Sequence, residues 1–266
     1  MTRIQKKFDE LRVKKEKAAI IFITAGDPSL DKNLKLVHSF EKAGVDLIEL
    51  GVPFSDPLAD GPVIQEASER SLKRGTNLKK ILELVKKIRR TSQIPLILMS
   101  YLNPILSYGV ASFARDAKTA GVDGVILPEV PVEEGRELSS VLSRAKLDLI
   151  YLLAPTSTLE RKRNAARASR GFIYFVSMTG VTGAKNTVLR SVDADVRSIK
   201  KFSTLPVCVG FGISTPEQAR QMSRVSDGVI IGSAVVRALK EHASLSADTF
   251  TKKFVTPFVK AVKAPR

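Results

Sequence analysis

Eight short runs dominated by branched apolar residues recur through the chain: AAIIFITAG (18–26), VDLIELGV (45–52), PLILMSY (95–101), GVILPEV (124–130), DLIYLLAP (148–155), GFIYFVS (171–177), PVCVGFG (206–212) and GVIIGSA (228–234). Their near-continuous apolarity, without polar alternation, predicts parallel strands covered on both faces. Amphipathic helices fill the intervals. In TNLKKILELVKKIRR, the clearest of them, Leu78, Ile81, Leu82, Val85 and Ile88 make one buried stripe, and Thr76 or Asn77 stands where a cap is needed. Eight such units predict an α/β fold of the (β/α)8 TIM-barrel kind, a single barrel domain over residues 1–266. Further helices are expected at residues 2–15, in VIQEASERSLKR after the second strand, and at residues 248–263. An open doubly wound sheet is the alternative, weakened because TAGDPSL rather than a G-x-G-x-x-G loop follows the first strand.

Composition narrows the chemistry. With 44% hydrophobic and 26% charged residues the chain has ordinary globular material for one large core. No run approaches the roughly 18 apolar residues of a membrane span, and MTRIQKKFDELRVKKEKAAI is too charged for a secretory segment, so a soluble cytoplasmic protein is expected. The single cysteine, Cys208, has no partner and reads as a buried structural thiol. Only His38 and His242 are present, both in helix-like stretches, so neither a histidine metal cluster nor a Ser-His triad is expected, and carboxylates must carry any acid–base work. The net charge of +16 lies mainly in helical patterns such as LERKRNAARASR, with no interleaved aromatics, which favours solvated helix faces over a nucleic-acid surface.

The stretch IELGVPFSDPLADGP (48–62) holds the most informative residues. Barrel active sites form at the C-terminal ends of the strands. If Ile48, Leu50 and Val52 pack on helices, period-2 alternation turns Glu49 into the barrel, and Asp60 stands in the loop above the same mouth. A desolvated Glu is raised toward neutrality while a wetter Asp stays ionised, the division that paired acid–base chemistry needs. The plainer alternative gives Glu49 a lysine partner across the barrel and makes Asp60 a cap for the helix beginning near Pro62; for Asp60 the two readings are evenly balanced. At the other end, GFG (210–212), GSA (232–234) and TGVTGA (179–184) put glycines after three neighbouring strands, where backbone N–H groups and a helix N-terminus suit a phosphate. Together these features point to a small phosphorylated substrate lying across the barrel mouth.

The blocks FITAGDP, ELGVPFSDPLADGP, MSYLNPI, GVTGA, GFGIS and IGSAVV span nearly the whole chain, and through them it resembles the alpha subunit of tryptophan synthase. The resemblance implies a barrel that cleaves indole-3-glycerol phosphate to indole and glyceraldehyde 3-phosphate by a retro-aldol reaction, with no cofactor or metal in this chain. On the matching positions it makes Glu49 the general acid–base residue and Asp60 the residue that binds the indole N–H. Tyr174 becomes the aromatic neighbour of the glutamate and Phe211 an indole-packing residue, although from sequence alone a plain core role is equally compatible with both. Gly183, Gly212, Gly232 and Ser233 match the phosphate loops, and Thr182 a mobile loop that closes toward Asp60. The partner implied is a beta subunit using pyridoxal phosphate in an alpha2beta2 complex, docked on the loop carrying Pro53, Phe54, Asp56, Pro57 and Leu58. One departure is Glu129 in LPEVP, where the family usually has the shorter aspartate. A stand-alone indole-3-glycerol-phosphate lyase and a non-catalytic basic barrel that binds nucleic acid are the competing functions.

Overall fold

The computed structural model describes residues 1–177, 185–210 and 212–264. Among them are nine strands, all parallel to their neighbours: β1 (Ala18–Thr24), β2 (Leu47–Gly51), β3 (Leu96–Met99), β4 (Gly124–Ile126), β5 (Asp148–Ile150), β6 (Leu152–Leu153), β7 (Ile173–Val176), β8 (Val207–Gly210) and β9 (Gly228–Ile231). They follow the order β5-β4-β3-β2-β1-β9-β8-β7-β6. The fifth apolar run supplies both end strands. Its first half pairs with β4 and its second with β7, and Tyr151 is the residue where the partner changes. The Tyr174 amide donates to the Tyr151 carbonyl at 3.1 Å, so the sheet is drawn into a ring and the eight predicted units fill eight barrel positions.

Alternation along the strands separates two apolar layers. Ile20, Leu47, Ile97, Ile126, Ile150, Cys208 and Ile230 fill the barrel interior, whereas Ile48, Leu50, Leu96 and Leu98 pack outward on the helices. Helix Leu78–Arg89 carries the predicted stripe plus Leu84, and Asn77 is its cap, accepting from the Lys80 amide at 3.0 Å. The strands are shorter than the apolar runs. β4 stops at Ile126, just before the segment in which Pro128 has no N–H to give the ladder.

The three extra helical segments are Arg3–Lys14, Pro62–Lys73 and a C-terminal stretch made of two helices, Ala247–Phe250 and Thr256–Lys263. The C-terminal stretch, expected to be continuous, contains a π-helical turn at Thr251–Val255. Pro257 stands two residues after it, and a proline has no amide for an i−4 bond and crowds the preceding turn, so one wider turn accommodates it. Helix Arg3–Lys14 closes the barrel floor with Ile4, Phe8 and Leu11, and Phe8 lies 5.9 Å from Phe172, centroid to centroid. No helix among the described residues is long and apolar enough to cross a membrane.

An aspartate precedes three of the strands and holds the start of the neighbouring one. Asp46 accepts from the Ala19 amide, Asp123 from Leu96 and Asp227 from Val207, each at 2.9 Å. Asp123 also meets the Arg89 guanidinium at 2.7 Å, with both side chains buried. Burial pushes Arg89 down to about 10 against the opposing pull of Asp123, so this pair is exposed to the full cost of losing one member. We expect Asp123→Asn to lower the unfolding free energy in urea by about 3–5 kcal/mol, while a loss under about 1 kcal/mol would place the pair among ordinary surface ion pairs.

Candidate active site

Glu49 sits in the middle of β2, paired in register with Phe22 of β1 on one side and Ile97 of β3 on the other. The β-ladder fixes its backbone and the outward packing of Ile48 and Leu50 fixes its face, so the carboxyl group points into the barrel. It is fully buried, and neither oxygen has a hydrogen-bond partner among the described residues. Among the described residues no lysine pairs with it, so the ion-pair alternative finds no partner there. Desolvation alone raises its pKa to about 8, and the group therefore holds a proton at neutral pH.

Above Glu49 opens a cavity of about 450 Å³ whose wall includes Asp60, Tyr174, Gly212, Gly232 and Ser233. Phe22, Ile64, Leu152 and Ile230 give it apolar sides, suited to a flat hydrophobic ring. Tyr174, from β7, is buried beside Glu49; burial and the nearby carboxylate keep its phenol protonated. Gly210 makes room for it, since a Cβ there would stand 2.4 Å from the Tyr174 hydroxyl oxygen.

Asp60 is half-buried at the mouth, in the loop between β2 and helix Pro62–Lys73. Its side chain does not cap that helix. Gly61 is the N-cap and has no side chain to offer, and the Asp60 group that meets the helix is its carbonyl, which accepts from Gln65 Nε2 at 2.8 Å. Burial raises the Asp60 carboxyl to about 6, a hydrogen bond from Tyr101 opposes the shift, and the charge of Glu129 adds to it. Two carboxyls in one cavity thus differ in proton affinity because one is sealed in the barrel and the other has a phenol donor.

Tyr101 was not singled out by the sequence. Its hydroxyl also accepts from the Ala59 amide at 3.0 Å, and Phe54 packs on its ring at 5.2 Å between centroids with the planes tilted by 32°, so it anchors the Asp60 loop at both ends. Glu129 belongs to the same assembly. Its carboxylate accepts from the Leu102 amide at 2.5 Å and caps helix Leu102–Tyr108, whose N-cap residue is Tyr101 itself and supplies no side-chain bond.

The opposite wall is built of backbone. Gly212 has φ of 72°, the left-handed region that favours glycine. Gly232 is the N-cap of helix Ser233–Glu241; the first bonds to its carbonyl come from Val235 and Val236 at 2.9 and 3.0 Å, so the Ser233 and Ala234 amides lie in the open first turn. Thr182, Gly183 and Phe211 lie outside the described residues. On the β2 loop, Pro53 is buried at the base and Asp56 is exposed, accepting from Ser55 Oγ at 2.5 Å, while Leu58 is 94% exposed at the tip. The two histidines stand elsewhere, His38 against Thr91 and His242 stacked on Phe254. The described residues include no group of three or more His, Cys, Asp or Glu side chains placed to hold a metal ion.

The family model described as tryptophan synthase alpha chain matches residues 8–263. A tryptophan synthase alpha chain of Geotalea daltonii is 51% identical, with 99% of this chain and 100% of the relative covered, and that of Geobacter sulfurreducens is 48% identical over 98% and 99%. Among solved structures, tryptophan synthase subunit alpha from Legionella pneumophila superposes with a TM-score of 0.91 at 38% identity, covering 98% of both chains. A structure of Mycobacterium tuberculosis tryptophan synthase contains a chain that superposes at 0.89 with 35% identity, covering 99% of each. A full-length match at this identity, on a barrel of the same shape, places the chain in the tryptophan synthase alpha chain family.

Proposed function

We propose that the cavity above Glu49 is the site at which this lyase, a tryptophan synthase alpha chain, cleaves indole-3-glycerol phosphate, with Glu49 and Asp60 dividing the proton chemistry. The observation that carries the assignment is the buried, unpartnered and protonated Glu49 carboxyl at the floor of an apolar cavity. Cleavage of the bond between indole C3 and the first glycerol carbon requires C3 to gain a proton and the hydroxyl on that glycerol carbon to lose one. Neutral Glu49 donates to C3, and the carboxylate it becomes accepts the hydroxyl proton as the carbon–carbon electrons return to the ring and the aldehyde forms. The carboxyl is thereby regenerated. Asp60, ionised above about pH 6, accepts the indole N–H and stabilises the cationic ring tautomer. Tyr101 orients Asp60, and Tyr174 covers Glu49. The amides around Gly212, Gly232 and Ser233 supply neutral donors for the phosphate.

As an alpha chain the protein works with a beta subunit. We infer a cytoplasmic alpha2beta2 assembly in which pyridoxal phosphate belongs to the beta subunit and this chain uses no cofactor. The exposed Asp56 and Leu58, on the loop that also carries Asp60, support that face as the docking edge.

The pH profile follows from the two carboxyls. Asp60, raised from 3.8 to about 6, must be ionised, and Glu49, raised from 4.5 to about 8, must be protonated. Indole release at subsaturating substrate is therefore expected to rise through about pH 6 and fall through about pH 8. Glu49→Gln is expected to abolish release with folding intact, and Asp60→Asn to slow it by roughly 10²–10⁴-fold; near-normal turnover by Glu49→Gln would remove the assignment. For the partner, Asp56→Ala is expected to weaken the stimulation of indole release in a titration with beta subunit while leaving the unstimulated rate unchanged. Equal stimulation of both proteins would move the docking edge elsewhere.

A further inference from the structure

The cavity wall holds a single side-chain cation among the described residues, Arg237, and the proton chemistry above does not use it. Arg237 stands four residues after Ser233 on helix Ser233–Glu241, so the helical repeat sets its side chain on the same face as Ser233. It lines the cavity together with Gly212, Gly232 and Ser233. Among the described residues it makes no hydrogen bond or ion pair, whereas the next cation on this helix, Lys240, is held by Glu66 at 2.6 Å. Arg70 is likewise engaged, by Asp27 at 2.7 Å. The cations on this side of the mouth that face carboxylates are paired, and the one that faces the cavity is left open.

Arg237 is the fifth of the nine residues of this helix, and a long helical side chain points back toward the N-terminus, which directs the guanidinium toward the open first turn. A phosphate monoester near neutral pH carries close to two negative charges, which amide groups bind without neutralising. A guanidinium beside those amides supplies the missing charge and two parallel donors.

We propose that Arg237 completes the phosphate subsite, donating to the substrate phosphate from the solvent side while the amides of the Gly232–Ala234 turn donate from the barrel side. The inference rests on the phosphate-cradle reading given above and adds to it the residue that discriminates a phosphorylated substrate from its uncharged counterpart.

The test compares binding of 3-indolepropanol phosphate and of unphosphorylated 3-indolepropanol to the full chain by calorimetry, alongside steady-state indole release. Arg237 is exposed, so its replacement leaves the core untouched. Gly232→Ala is the control for the cradle, because a Cβ at that position meets Phe22 at an ordinary 3.5 Å and the fold can hold it. Arg237→Gln is expected to weaken the phosphorylated ligand by about tenfold or more, the scale of one charged hydrogen-bond pair. It is expected to raise KM by a similar factor, and to leave both kcat and the unphosphorylated ligand unaffected. Arg237→Lys is expected to restore most of the affinity. If Gly232→Ala loses affinity for the phosphorylated ligand and Arg237→Gln does not, Arg237 is a solvated surface cation and the cradle stands without it. Unchanged affinity in both variants overturns the cradle and the role of Arg237 together.

Discussion

The desolvation of one carboxyl group organises this molecule. Glu49 occupies a strand position that its neighbours fill with Phe22 and Ile97, and among the described residues it receives no cation and no hydrogen bond in return. The result is a neutral acid at pH 7 with a pKa near 8. The group also costs stability. Its folded pKa lies above the unfolded value of 4.5, so stability is greatest below that value and is lost as pH rises through the folded one. By neutral pH the loss is roughly 3 kcal/mol. A barrel with a well-bonded floor tolerates this, because the aspartates that begin the strands satisfy the amides of their neighbours and Arg89 and Lys263 close two of those carboxylates.

The mouth is assembled differently from the floor. Its polar groups sit on loops, and a short chain of ion pairs ties those loops together. Glu66, on the helix that follows Asp60, meets Lys240 on the helix that follows Gly232, and Arg70 of the first helix forks onto Asp27 after β1. Asp60 and Gly232 therefore stand at the starts of two helices that are tied to one another. Tyr101 and Glu129 extend the assembly to the next two loops, and the longer side chain of Glu129 is what reaches the Leu102 amide.

Much of this was legible in the sequence because it depends on period and polarity. Unbroken apolar runs announce buried parallel strands, and alternation within VDLIELGV sets the face of Glu49. Other features depend on partners that a single segment does not encode. The fifth run reads as one strand, yet it divides at Tyr151 because its two halves bond to different neighbours. Tyr101 closes an apolar run and looks like its last core residue, but its hydroxyl reaches Ala59 in a loop remote in sequence. Pro53, which the resemblance puts on the docking loop, is buried at the loop base. Arg237 resembled any other cation in a basic amphipathic helix until the cavity beside it was seen. For Asp60, the capping alternative falls because Gly61 is the N-cap of the helix.

Glu49 stays protonated at neutral pH because no group among the described residues stabilises its charge. The most direct measurement is the infrared difference spectrum between the unliganded protein and its Glu49→Gln variant, followed from pH 5 to pH 10. A neutral-carboxyl band lost with a midpoint near pH 8 is the predicted result. A carboxylate already ionised at pH 6, with a midpoint at the ordinary value near 4.5, would contradict the account.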